Sequence, residues 1–122
     1  MTTTKMQPLT YTIDASGRTL GRVASEAAQA LQGKKSVHFA RNIVLPITVV
    51  IENAGKLMLS DRRIAGKTYT HYTGYRGGLR ETSMKDMIEK KGIDEVVRKT
   101  VDGMIPRNKL RKERMKRLTV NA

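Results

Sequence analysis

Cysteine and tryptophan are missing from this 122-residue chain, phenylalanine occurs once, and proline three times. Without cysteine there is no disulfide framework, no thiol nucleophile and no cysteine-based zinc finger. His38 and His71 are the two histidines, which leaves little from which to build a catalytic metal site. Long apolar runs are also lacking. The longest, Ile43 to Ile51, is broken by Pro46 and Thr48, and is about half of what a membrane span requires. Met1 to Pro8 carries no apolar export signal, so the expected location is the cytoplasm. Acidic residues are scarce too: 11 Asp and Glu face 24 Lys and Arg, a formal net charge of +13. A surplus that large on one small domain repels itself unless it is neutralised. Nucleic acid is the leading counter-charge, and an anionic membrane surface the second.

What is present suffices for one domain with a modest core, since 39% of residues are hydrophobic. The charge is unevenly spread. Residues 1–60 carry a net +4 and residues 61–122 a net +9. Arg107 to Arg117 holds seven cations and one acid, Glu113. This reads as a basic arm of about residues 107–122 attached to a folded body.

Leu9, Tyr11 and Ile13 alternate with polar residues, which predicts a strand. Leu20, Val23, Ala24, Ala27 and Leu31 follow at helical spacing, with Thr19 as N-cap and Gly33 as the stop. Val37 to Phe39 reads as a short extended piece. Ile47 to Ile51 is β-branched and continuous, the pattern of a strand buried on both faces, and Pro46 belongs at its start. Leu57 to Leu59 is a candidate short strand. Residues 60–80 are polar and Gly-rich and read mostly as loop. Thr82 or Ser83 can cap a helix through Lys91, and Asp94 the next, which Pro106 ends. Arg107 to Leu118 predicts a short basic helix with an extended tail. The alternation implies an α/β domain with a mostly parallel sheet of about four strands and helices on its faces.

Two catalytic-looking patterns fail on inspection. Gly66-Lys67-Thr68 resembles the end of a P-loop, but Asp61 stands where the motif needs its first glycine. Asp14, His71 and a serine make no triad, because no serine sits in a nucleophile-elbow pattern. The informative loop is His71-Tyr72-Thr73-Gly74-Tyr75-Arg76-Gly77-Gly78-Leu79-Arg80. Its glycines let the backbone approach a phosphate closely. His71, Tyr72 and Tyr75 offer faces for an unpaired base, and Arg76 and Arg80 offer bidentate phosphate contacts. Pro106 then redirects the chain and Asn108 can cap a new helix. Arg107, Lys109, Arg111, Lys112, Arg114, Lys116 and Arg117 fall on every side of that helix, which suits a position among phosphates. For lack of a broad apolar face, it does not suit insertion into a membrane.

Three motifs occur in order: Asp14-Ala15-x-Gly17-x-x-Leu20-Gly21-Arg22-Val23-Ala24-Ser25, His71-x-x-Gly74-Tyr75-x-Gly77-Gly78-Leu79, and Gly103-Met104-Ile105-Pro106-Arg107-Asn108-x-Leu110. With them, the chain from Tyr11 to Val120 resembles the bacterial form of the universal large-subunit ribosomal protein thirteen family. The resemblance implies a three-layer α/β/α fold with a four-stranded parallel sheet. It also implies a structural protein without enzymatic activity or cofactor, bound to large-subunit ribosomal RNA and joining early in assembly. Other large-subunit proteins, such as proteins three and twenty, are the implied neighbours. The chain departs from the family pattern in three places. Val44-Leu45-Pro46-Ile47 replaces an acidic Asp-x-Gly-Asp stretch, Arg76 replaces a usual proline, and Arg111 replaces a common glycine.

The expected RNA-binding elements are therefore the 71–80 loop and the 107–117 segment, with Lys34, Lys35, Arg62, Arg63 and Lys67 adding phosphate contacts. No metal site is expected. The competing readings are a non-ribosomal nucleic-acid-binding module and, more remotely, a small enzyme using Asp14 or His71.

Overall fold

The computed structural model describes residues 8–122. The missing export signal concerns Met1 to Pro8, of which all but Pro8 lie outside the described residues. The chain runs through β1 (Leu9–Asp14), α1 (Leu20–Gln32), β2 (Ile47–Glu52), a short 3₁₀ turn (Ala54–Lys56), α2 (Asp61–Gly66), β3 (Thr68–Tyr72), β4 (Leu79–Ser83), α3 (Met84–Lys91), α4 (Ile93–Met104), α5 (Leu110–Lys116) and β5 (Leu118–Val120).

The principal sheet has three parallel strands in the order β1-β2-β5. β2 is central. Ile47, Val49 and Ile51 on one of its faces are buried, while Thr48 and Val50 on the other are half-buried. α1 presents Leu20, Val23, Ala24, Ala27, Ala28 and Leu31 to the core and packs against β2 and α4. Small alanines on that stripe permit close approach of the Val96, Val97 and Val101 face of α4. Each fully buried aliphatic side chain of this kind is worth about 1.5–3 kcal/mol, so this sheet and these two helices form the stable body.

Local chemistry accounts for most boundaries. Gly33 takes φ +85°, the left-handed conformation that ends α1, and its N–H returns to the Ala30 carbonyl. Thr19 occupies the N-cap position, though its side chain makes no capping bond. Ser83 Oγ accepts from the Asp86 N–H and caps α3. Asp94 is not a cap: α4 begins one residue earlier, after Gly92 at φ +90°, and Asp94 lies in the first turn.

The structure corrects the expected architecture in several places. The parallel sheet has three strands, not four. Leu57 to Leu59 forms no strand, because only Met58 pairs, in an isolated bridge to Thr19, before Ser60 caps α2 through the Arg63 N–H. Val37 to Phe39 is a turn with Val37 fully exposed. Residues 60–80 are not mostly loop. They contain α2 and most of a separate antiparallel two-stranded sheet, β3 with β4. The tail after α5 is extended, as expected, and it joins the sheet as a strand: Leu118 and Val120 are buried beside β2, and the Val49 N–H donates to the Arg117 carbonyl at 3.0 Å. The basic segment is thus tied to the sheet at its C-terminal end.

The apolar Val44–Ile47 stretch joins the core. Leu45 and Ile47 are both 2% exposed, and Leu45 packs over Gly33, where an added Cβ would collide with its Cδ1.

Candidate nucleic-acid interface

β3 and β4 form a hairpin that places His71 opposite Arg80 and Tyr72 opposite Leu79. Its loop closes through Thr73 N–H to the Gly78 carbonyl (3.2 Å) and Gly78 N–H to the Tyr75 carbonyl (3.0 Å). Gly74 and Gly77 adopt φ +89° and +70°, conformations that side chains resist. Gly78 is needed for space, since a Cβ there would run into Thr73 Oγ1 and lie 2.9 Å from the Tyr75 carbonyl. From His71 to Arg80 every residue except Gly78 is exposed, with Tyr72 at 60% and Tyr75 at 79%. Both rings are therefore available for stacking and are not packed on the body.

The base of the hairpin carries a basic surface. Tyr69 is half-buried, and Lys67 Nζ and Lys99 Nζ lie 5.6 Å and 5.3 Å from its ring centroid, within cation–π range. Burial holds the Tyr69 phenol above its ordinary pKa, opposed by the charge of Arg63. Two clefts meet there. One, of about 450 Å³, is lined by His71 and Arg80 of the hairpin with Lys90, Lys91 and Lys99 of α3 and α4. The other, of about 550 Å³, is lined by Arg63, Lys67, Lys99, Arg107 and Arg111. Asp102 is the acid in this second cleft, and it pairs with Arg111 at 3.4 Å. Cations from α2, the hairpin, α4 and the 107–111 segment thus converge around one tyrosine. Lys90, Lys91 and Lys99 join this surface without a motif to announce them. Their only signal is that α3 ends in a Lys90-Lys91 pair and α4 carries Lys99 beside Arg98.

Other expected contacts lie elsewhere. Lys109, Lys112 and Lys116 are exposed along α5 and just before it, and Arg117 is half-buried after it. Asn108 Oδ1 accepts from the Leu110 N–H at 3.0 Å, but Asn108 stands one residue before the N-cap position of α5, which Lys109 occupies. Arg62 is exposed on α2. Lys35 is held on the body, 3.3 Å from Glu26 and 5.5 Å from the Tyr11 ring centroid. Lys34 faces a different cleft, with Arg41, Asn108 and Arg114. Arg114 departs from the expectation of cations on every side of the helix. It is 2% exposed, because α5 turns that side toward the body, with Leu118 and Val120 of β5 then buried against β2.

Asp14 serves a turn. Its carboxylate accepts from Asn53 Nδ2 and the Ser16 N–H, both at 3.0 Å. These bonds, the Asn53 bond foremost, hold its pKa below the ordinary carboxylate value. Among the described residues no cluster of His, Asp and Glu could hold a metal ion, and no helix is long and apolar enough to cross a membrane.

Comparison with known proteins adds an independent finding. The model of the family described as Ribosomal protein L13 matches residues 9–122. The large ribosomal subunit protein uL13 of Clostridioides difficile is 46% identical over 112 residues, covering 92% of this chain and 78% of its own length. The uL13 proteins of Geobacter sulfurreducens and Rubrobacter xylanophilus are 41% and 38% identical with the same coverage.

Proposed function

The chain belongs to the ribosomal protein L13 family, and on that premise we propose that its hairpin tip, the cleft around Tyr69 and the exposed face of α5 hold it on large-subunit ribosomal RNA. It is a structural constituent of the large ribosomal subunit and not an enzyme. The observation that carries the RNA contact is the convergence of Arg63, Lys67, Lys99, Arg107 and Arg111 on one cleft beside an exposed Gly/Tyr/Arg hairpin.

The mechanism is charge neutralisation with shape fitting. Cations displace condensed counterions from the RNA backbone. Gly74, Gly77 and Gly78 allow the loop to sit close against it, while Tyr72 and Tyr75 stack on unpaired bases. Arg76 and Arg80 supply forked contacts to phosphate. Arg76 in place of a usual proline adds a cation at the tip. Lys34, Arg62, Lys109, Lys112, Lys116 and Arg117 extend the phosphate contacts around this centre, and Lys35 adds one where Glu26 leaves its ammonium accessible. Binding early in assembly, in the cytoplasm, with large-subunit proteins three and twenty as neighbours, completes the reading.

Sedimentation tests it. The native protein is expected to co-migrate with large subunits, and replacing both Arg76 and Arg80 with alanine should weaken binding to a large-subunit ribosomal RNA transcript about tenfold or more. Parental affinity in that variant would remove the hairpin from the interface. Failure of the native chain to co-migrate would remove the function.

A further inference from the structure

The 106–114 segment borders two clefts. Arg107 and Arg111 line the one beside Tyr69, whereas Asn108 and Arg114 line another of about 390 Å³, with Lys34, Phe39 and Arg41. That size lies within the usual range for small-ligand clefts. This cleft contains an unusual group. Arg114 is 2% exposed, yet among the described residues no carboxylate pairs with it. Its Nη2 reaches the Ile43 carbonyl only at 3.5 Å, and its Nε has no partner. A guanidinium taken out of water with neither counter-charge nor full hydrogen bonding is costly, and such a group calls for a missing partner.

Lys34 and Arg41 add two exposed cations, no ion pair engages either among the described residues, and no acidic side chain lines the cleft. The remaining lining groups decide which anion fits. Phe39 is 39% exposed at the cleft, giving a ring face beside the cations. Asn108 has given its Oδ1 to the Leu110 N–H, which leaves the amide Nδ2 as a donor. A ring face, an amide and clustered cations are what an unpaired nucleotide requires: stacking, an edge contact and phosphate neutralisation. An acidic peptide would use the cations alone.

We propose that this cleft receives one unpaired nucleotide of large-subunit ribosomal RNA, its phosphate held by Lys34, Arg41 and Arg114 and its base against Phe39. The proposal rests on the RNA-binding function above and adds a second, separate contact to it.

The test compares the full chain with Arg114→Met, Phe39→Ala and the Arg76→Ala/Arg80→Ala double variant. Filter binding to a large-subunit ribosomal RNA transcript and incorporation into reconstituted subunits are measured for each. Arg114→Met and Phe39→Ala should each weaken RNA binding about tenfold, the scale of removing one stacked base. Arg114→Met should melt at or above the parental temperature, because an apolar side chain removes an unpaired buried charge. Should Arg114→Met fold poorly, Phe39→Ala, altered at the surface, decides alone. Parental RNA affinity in both cleft variants, with loss only in the hairpin variant, overturns the nucleotide site and leaves the general function standing. Parental affinity in all three variants overturns the nucleotide site and removes the hairpin from the interface as well. Parental RNA affinity with impaired incorporation assigns the cleft to an acidic protein neighbour, and also overturns the proposal.

Discussion

Gly33 shows how much a single residue can settle. Its place after the Leu31 stripe marks the end of α1 in the sequence, and the structure finds it there at φ +85°. Its second role is invisible in a linear reading, because it depends on Leu45, which packs where a Cβ would be. Gly33→Ala should therefore cost more than a helix-stop glycine alone. The expected loss is about 1–3 kcal/mol from the left-handed backbone, with the Leu45 collision added to it. A lower urea midpoint at unchanged slope would report this, and an unchanged midpoint would mean that Leu45 moves aside freely and the backbone carries no strain. Arg114 is the opposite case. As one of seven cations in eleven residues it is indistinguishable from Lys112 or Lys116 by type. Only the packing of α5 against α1, α4 and β5 separates it from them.

Among elements, the two sheets differ in what holds them. The parallel sheet has Ile13, Ile47, Val49, Ile51 and Leu118 buried. The β3–β4 hairpin is exposed along most of both strands, and Tyr69 is its one hydrophobic residue packed against the core. An isolated hairpin of this kind is marginal in water, and its amides open by local fluctuation, not global unfolding. Hydrogen exchange should accordingly be fast at Tyr69 to Tyr72 and Leu79 to Thr82 in the free protein and slow at Val49 to Ile51. Bound ribosomal RNA should slow the hairpin amides by about tenfold or more if the tip is an anchoring element. Equal protection of the hairpin with and without RNA would show that it stands clear of the interface. The hairpin is also the least legible element. Its strands lack apolar alternation because neither face is fully buried, so composition alone reads residues 60–80, which hold most of the hairpin, mostly as loop.

For the whole molecule, the net charge of +13 has to be divided by accessibility. Arg114 is buried, Arg111 is paired with Asp102, and Lys35 and Arg18 are paired with Glu26. Lys109, Lys112 and Lys116 remain exposed and free of acidic partners among the described residues. Replacing these three lysines with glutamine should leave the melting temperature of the free protein unchanged. It should also flatten the dependence of RNA affinity on salt, by up to about 0.9 log units per log unit of salt for each duplex phosphate that is no longer neutralised. An unchanged salt slope would place α5 against protein or solvent.

The sequence by itself determined α1 with its glycine stop, a strand over Ile47 to Ile51, the Gly/Tyr/Arg composition of residues 71–80 and membership of the family, because each rests on local periodicity or on motifs of fixed spacing. The tertiary structure decided which cations meet around Tyr69, that Arg114 is buried, and that Leu118–Val120 closes the sheet in place of a fourth strand at Leu57–Leu59. These outcomes depend on partners distant in the chain. A three-residue strand has too little pattern to declare itself until β2 supplies the hydrogen bonds, and a cation's surroundings are set by whatever the fold brings against it.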